Sequence, residues 1–120
     1  MKYFFDTYAL FEIYQKNPSY EKYMEEEITT TNLNLAELYY GFLKDGKKKP
    51  GLELFNSLRN STIQVSNGIV QTAVEFRHKH KNKKLSYIDC IGYATAMEQK
   101  LIFLTGDEQF KAIEGVEFIK

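Results

Sequence analysis

The stretch LIFL, residues 101–104, carries no polar side chain. A strand that is apolar on both faces needs both faces covered, as happens when helices pack on either side of a parallel sheet. The rest of the chain fits that requirement. KYFF (2–5) reads as a short aromatic strand, ITTT (28–31) and TIQV (62–65) as β-branched ones, and VEFI (116–119) as a last one. Helical segments separate them. YALFEIYQK (8–16) sets Ala9, Leu10, Ile13 and Tyr14 at helical spacing. Asn17-Pro18 stops that helix, and SYEKYMEEE (19–27) starts another with Pro18 near its first position. NLNLAELYYGFLK (32–44) is a strong helix ended by Asp45-Gly46 and the basic turn KKKP. GLELFNSLRN (51–60), NGIVQTAVEFRHKHK (67–81) and SYIDCIGYATAMEQK (86–100) are further helices, with Ile69, Ala73 and Phe76 on one side of the second. DEQFKAI (107–113) adds a turn or two. This alternation predicts an α/β fold, a three-layer sandwich around a parallel sheet of four to five strands, with LIFL at its centre.

At 120 residues the chain suits a single domain, residues 1–120, with room for a real core. The formal net charge of zero argues against a general nucleic-acid coat but allows a local basic patch. Cys90 is alone, so no intrachain disulfide forms, and nothing points to an oxidising compartment. Asp6 and Glu12 interrupt the apolar start of the chain, which therefore does not read as a signal peptide. No apolar run approaches the roughly 20 residues of a membrane span. A cytoplasmic protein is expected.

Asp6 stands at the joint between a strand and a helix, beside the core, where an unpaired charge costs several kcal/mol. It has company. In a doubly wound sheet the helices that follow strands begin at the strands' carboxyl ends, so those ends share one rim. Asp6 closes the first strand, Glu37 lies in about the first turn after ITTT, Asp89 begins the helix leading to LIFL, and Asp107 follows LIFL. Each has an ordinary explanation. Asn34–Glu37 and Ser86–Asp89 both match the spacing of a capping box, while Asp6 and Asp107 could cap the helix or turn that follows them. Together, however, four acids on one rim repel by roughly 4 kcal/mol per close pair unless protonated, paired with bases or bound to cations. Oxygen-only ligands of this type suit Mg²⁺ or Mn²⁺.

FFDT, NLAELYYG, SYIDCIGYATA and LIFLTGDEQF occur in that order, and with them the chain resembles the PIN-domain ribonucleases over nearly its whole length. It is most similar to the small VapC-type toxins of toxin–antitoxin pairs. The resemblance implies Mg²⁺- or Mn²⁺-dependent hydrolysis of single-stranded or looped RNA, with Asp6, Glu37, Asp89 and Asp107 as metal-binding and catalytic acids. Thr7 and Thr105 match supporting residues, and Phe110 matches the aromatic after the last acid. Asp6 is expected as the main ligand because it closes what would be the central strand. Asp89 and Asp107 complete the inner sphere, and Glu37 binds through water or orients the hydroxide. Tyr8 departs from the usual Ser or Asn, and Asn34 from a small hydroxyl residue. The family also implies a homodimer and an inhibitory antitoxin, for which Tyr14, Tyr20, Tyr23 and Tyr40 offer aromatic surface. The alternative is an inactive PIN-like module that binds RNA or protein without cutting.

Other features weigh less. HKHKNKK (78–84) and KDGKKK (44–49) are either RNA-backbone contacts or solvated turns, and solvated turns are commoner. His78 and His80, two apart, are poorly spaced for joint ligation from one helix face and read as surface residues. Cys90 reads as packing. A phosphatase of the haloacid-dehalogenase type would need an acid where Tyr8 stands, and a receiver domain a Lys beyond a later strand where this chain has Asp107.

Overall fold

The computed structural model describes residues 2–120. The chain runs β1 (Tyr3–Phe5), α1 (Thr7–Tyr14), a 3₁₀ helix (Pro18–Tyr23), α2 (Asn32–Lys44), α3 (Lys48–Leu58), α4 (Asn67–Lys79), α5 (Tyr87–Glu98), β2 (Ile102–Thr105), a 3₁₀ turn (Glu108–Phe110) and β3 (Val116–Phe118). The sheet is parallel, in the order β1-β2-β3, with Phe4 opposite Phe103 and Phe103 opposite Val116.

The pleat divides these short apolar strands between two cores. Tyr3, Phe5 and Leu104 point to one face, where they meet Leu10 of α1 and Leu35, Leu38 and Phe42 of α2. Phe4 and Phe103 point to the other, against Ile69 and Ala73 of α4 and Cys90 and Ala94 of α5. Successive strand residues alternate in direction, so a strand apolar throughout feeds both layers. The rings of Phe4 and Phe103 stack with centroids 5.6 Å apart. LIFL thus supplies the central strand of an α/β fold, as its composition requires.

The sheet has three strands, not four to five. ITTT and TIQV meet only in one isolated parallel bridge, Thr30 to Thr62. ITTT does run beside β1, and the Phe5 N–H donates to the Thr29 carbonyl at 2.8 Å. There the ladder stops, because the Thr30 hydroxyl takes the Phe5 carbonyl at 2.9 Å and Thr31 immediately caps α2. TIQV is cut short in the same way by Ser66, which caps α4. β1 is therefore an edge of the three-stranded ladder, and β2, not β1, is central.

Helix boundaries differ in instructive places. KKKP is not a turn: α3 begins at Lys48, with Pro50 in its first turn where a missing N–H is harmless. SYEKYMEEE forms only the short 3₁₀ helix, capped by Asn17, whose side chain accepts from the Ser19 N–H. Asp45-Gly46 does end α2. Gly46 adopts φ 70°, and the N–H groups of Gly46 and Lys47 close back on the carbonyls of Leu43 and Phe42. Tyr20 and Tyr23 are core residues rather than surface. Tyr20 donates to the Ile119 carbonyl at 2.6 Å and Tyr23 to the Glu117 carboxylate, which pins the end of the chain to this layer. Among the described residues no helix is long and apolar enough to cross a membrane.

Candidate active site

Asp6 follows β1 directly and is only 3% exposed. It precedes α1, yet its side chain makes no capping bond, so helix capping does not explain it. Its Oδ2 accepts from the Thr105 hydroxyl at 2.8 Å, and its Oδ1 from the Asn34 amide at 3.4 Å. Burial first, and then the charge of Asp89, push its pKa from 3.8 to about 7, against the lowering effect of the Thr105 hydrogen bond. Among the described residues none of the four acids forms an ion pair; the pairs present are Lys22–Glu117 and Lys120–Glu108.

Glu37 stands in the second turn of α2, not the first. Thr31, rather than Asn34, caps this helix: its hydroxyl accepts from the Asn34 N–H at 3.2 Å and lies 2.6 Å from the Asn34 carbonyl oxygen Oδ1. The Asn34–Glu37 capping box is therefore absent. Held by Thr31 from behind, Asn34 directs its amide nitrogen to Asp6 and to the Thr7 hydroxyl, 3.0 Å away. Thr7 in turn donates to Glu37 Oε1 at 2.7 Å. One relay, Asn34 to Thr7 to Glu37, thus fixes a carboxylate on α2 against the start of α1. Burial raises the Glu37 pKa, with the charges of Asp89 and Asp107 adding to it.

Asp89 does form the capping box. Its N–H donates to the Ser86 hydroxyl at 3.0 Å, and its Oδ2 accepts from the Ser86 N–H at 2.8 Å. Asp107 caps the turn after β2 through Oδ1, which accepts from the Gln109 N–H at 2.9 Å. Capping is thus a true description of both residues, but it occupies one oxygen of each. Among the described residues no donor meets the second oxygen of Glu37, Asp89 or Asp107. Burial, and then the charge of Asp107, raise Asp89 as well. Thr105 ties the two strand ends together, donating to Asp6 while accepting from the Asp107 N–H at 3.1 Å.

All four acids line one cleft of about 380 Å³, together with Thr7, Tyr8, Phe11, Tyr40, Gly41 and Lys44. A larger hollow around Ser66, Thr72 and Met97 contains a single acid, Glu98, and no comparable set of donors. The four acids offer the cleft only hard oxygens as ligands, which suits a small divalent cation. No three acidic, histidine or cysteine side chains among the described residues stand close enough to form a ready-made cage.

Tyr8, the departure from a small polar residue, is seated against Gly106: a Cβ there would lie 2.3 Å from the Tyr8 ring. The polar contact on Asp6 comes from Asn34 instead. The sequence marks Asn34 only as a departure from a small hydroxyl residue and Lys44 only as part of the basic stretch KDGKKK. Spacing does carry a signal for Lys44, since Glu37, Tyr40, Gly41 and Lys44 fall at i, i+3, i+4 and i+7 on one face of α2. The two basic stretches separate: Lys44 reaches the cleft, while Lys48 and Lys49 enter α3. The loop after α4 also reaches this rim, where the Lys84 N–H donates to Gln109 Oε1 at 3.1 Å, two residues beyond Asp107. His78 is exposed, whereas His80 packs on Phe76 at 4.4 Å. Cys90 is fully buried, and burial lifts its thiol to about 11, which leaves it inert.

The sequence pattern of the PIN domain family matches residues 3–116. None of the curated proteins matches the chain. Among solved structures, the chain is similar to the Mycobacterium tuberculosis VapC20, a sarcin–ricin loop cleaving toxin, with a TM-score of 0.81 and 15% identity over 99% of this chain and 100% of that one. It is also similar to VapBC2 from Rickettsia felis bound to a DNA fragment from its promoter, with a TM-score of 0.76, 22% identity and full coverage of both chains. A toxin–antitoxin complex from Klebsiella pneumoniae gives a TM-score of 0.76 and 22% identity over 97% and 96% of the two chains. At such identities these neighbours bear on the fold.

Proposed function

The chain belongs to the PIN domain family, and from that premise we propose that residues 1–120 act as one divalent-metal-dependent endoribonuclease, the toxin of a toxin–antitoxin pair. One observation carries this: four carboxylates, none of them in an ion pair among the described residues, line a single cleft at the end of the sheet. The fold likeness to a toxin that cleaves the sarcin–ricin loop and to toxins solved with their antitoxins supports the choice of substrate and partner. Exposed Tyr14, Leu43 and Leu52 suit protein contacts, in the proposed reading a second copy of the chain and an antitoxin. The proposed place of action is the cytoplasm.

Bound Mg²⁺ or Mn²⁺ would reverse the sign of the cleft, so that it accepts a phosphodiester, and would lower the pKa of a coordinated water. Asp6 is the proposed main ligand, because Thr105 and Asn34 hold both of its oxygens in place. Asp89 and Asp107 would contribute the oxygens that capping leaves free. Glu37, oriented by Thr7 through Oε1, would accept a proton from the attacking water on Oε2. Hydrolysis would join that water's oxygen to phosphorus and break the scissile P–O bond, with the departing ribose oxygen taking a proton from solvent.

Purified protein incubated with RNA should cut it in Mg²⁺ or Mn²⁺, stop on chelation and resume when metal is returned. RNA bound but left whole in saturating metal would instead identify an inactive binding module. A second expectation concerns support of the acids. Thr105→Val removes the donor that lowers the Asp6 pKa and the acceptor of the Asp107 N–H. Outer-shell losses of this kind weaken metal binding by about tenfold or more. Calorimetric titration with Mn²⁺ checks it, and an unchanged affinity would mean that Thr105 only packs.

A further inference from the structure

The acidic cleft also carries a different chemistry. Tyr8, Phe11, Tyr40 and Lys44 line it together with the acids, Tyr40 and Lys44 following Glu37 along one face of α2. Tyr40 is 63% exposed, more than any other large apolar side chain described. Its neighbour Tyr39 turns inward onto Phe55, with centroids 5.8 Å apart, so the adjacent pair on α2 divides between core and cleft. The Lys44 ammonium lies 5.7 Å from the centre of the Tyr40 ring and forms no ion pair among the described residues. Gly41 keeps the floor low, since a Cβ there would come within 2.5 Å of the Phe11 ring. An exposed aromatic plane, one free cation and a phosphate-directed acid cluster within a single cleft match the repeating unit of a nucleic-acid strand.

We propose that Tyr40 and Lys44 are the positioning residues for one nucleotide beside the scissile phosphate: Tyr40 stacks its unpaired base and Lys44 meets its phosphate. This rests on the ribonuclease function proposed above. A base inside a duplex is already stacked on both faces, so this pair selects a strand whose base is free to leave its neighbours. Every base has a π-face, so the contact fixes position more than sequence. Lys44 adds a salt-sensitive attraction of about one released counterion.

The test uses a labelled single-stranded RNA oligonucleotide and a series in which one nucleotide at a time is abasic. Binding is followed by anisotropy in Ca²⁺, and cleavage kinetics in Mg²⁺. Tyr40→Ala should weaken binding about tenfold and raise KM by a similar factor with kcat nearly unchanged, whereas Tyr40→Phe stays within about twofold of wild type. One abasic position should cost the wild-type protein that same factor and cost Tyr40→Ala nothing further. Lys44→Gln should weaken binding and reduce its salt slope by about one. The exposed ring makes no core contact, so the melting temperature of Tyr40→Ala should equal that of wild type. Unchanged binding by Tyr40→Ala, or an abasic penalty that persists in it, overturns the proposal, and a protein ligand would then be the better partner of Tyr40. The two ideas fail separately. Cleavage with no Tyr40 effect removes only the nucleotide contact, whereas Tyr40-dependent binding without metal-dependent cleavage removes only the nuclease.

Discussion

Asp6→Asn is expected to abolish metal-dependent RNA cleavage and still yield a folded protein. Asparagine has the shape of aspartate and can accept the Thr105 hydroxyl in the same way; only the long 3.4 Å contact to Asn34 is spoiled, and Asn34 keeps its bond to Thr7. What disappears is the negative charge best fixed to hold a cation. A metal ion stabilises the transition-state charge by several kcal/mol, so losing its main ligand should cost about a thousandfold or more in rate. Gel analysis of RNA fragments beside a thermal melt of both proteins checks the two halves together. An Asp6→Asn protein that cleaves within tenfold of wild type would remove Asp6 from the reaction, and one that fails to fold would make it a structural residue.

The second large effect is on stability and runs opposite to the usual behaviour of carboxylates. Asp6 binds its proton more tightly in the folded chain, where its pKa is about 7, than in the unfolded chain, where it is near 3.8. Between those values the native state holds the extra proton, so the metal-free protein loses stability as pH rises through that window. Above about 7 the loss is complete and amounts to about 4 kcal/mol. Glu37 and Asp89 are shifted upward as well and add in the same direction. Urea unfolding in chelator at about pH 5 and about pH 8 measures the difference. Wild type should be clearly more stable at the lower pH, and Asp6→Asn should lose most of that dependence. Equal stability at the two pH values would mean that Asp6 is ionised at no cost and needs no cation.

Much of the fold could be read from the chain because apolar strands leave few options. LIFL had to be covered on both faces, and Tyr3, Phe4 and Phe5 had to feed two cores if paired beside it. The number of strands could not be read in that way. ITTT has strong β propensity, yet a threonine hydroxyl competes for the very carbonyl that a ladder would use, and Thr30 does so on Phe5. The start of α2 was ambiguous for a related reason. TTTN holds several residues able to cap a helix, and what selects between them is the Thr31 hydroxyl accepting from the Asn34 N–H. Tyr20 and Tyr23 looked like surface because tyrosine tolerates either setting. Their partners, Ile119 and Glu117, lie almost a hundred residues away and are invisible to local pattern. The acids gathered at one rim because topology alone sends strand ends there. The side chains around them depended on contacts such as Asn34 with Asp6 that no local spacing encodes.

Thermal unfolding of the wild-type protein at about pH 8 during titration with Mg²⁺ or Mn²⁺ tests most directly whether the four acids hold a cation. The expected result is a melting temperature that climbs with metal, corresponding to about 3 kcal/mol at a hundred times the dissociation constant. Near neutral pH, protons should be released as the ion binds, and Asp6→Asn should show neither response. A wild-type melting temperature indifferent to both ions would contradict the assignment.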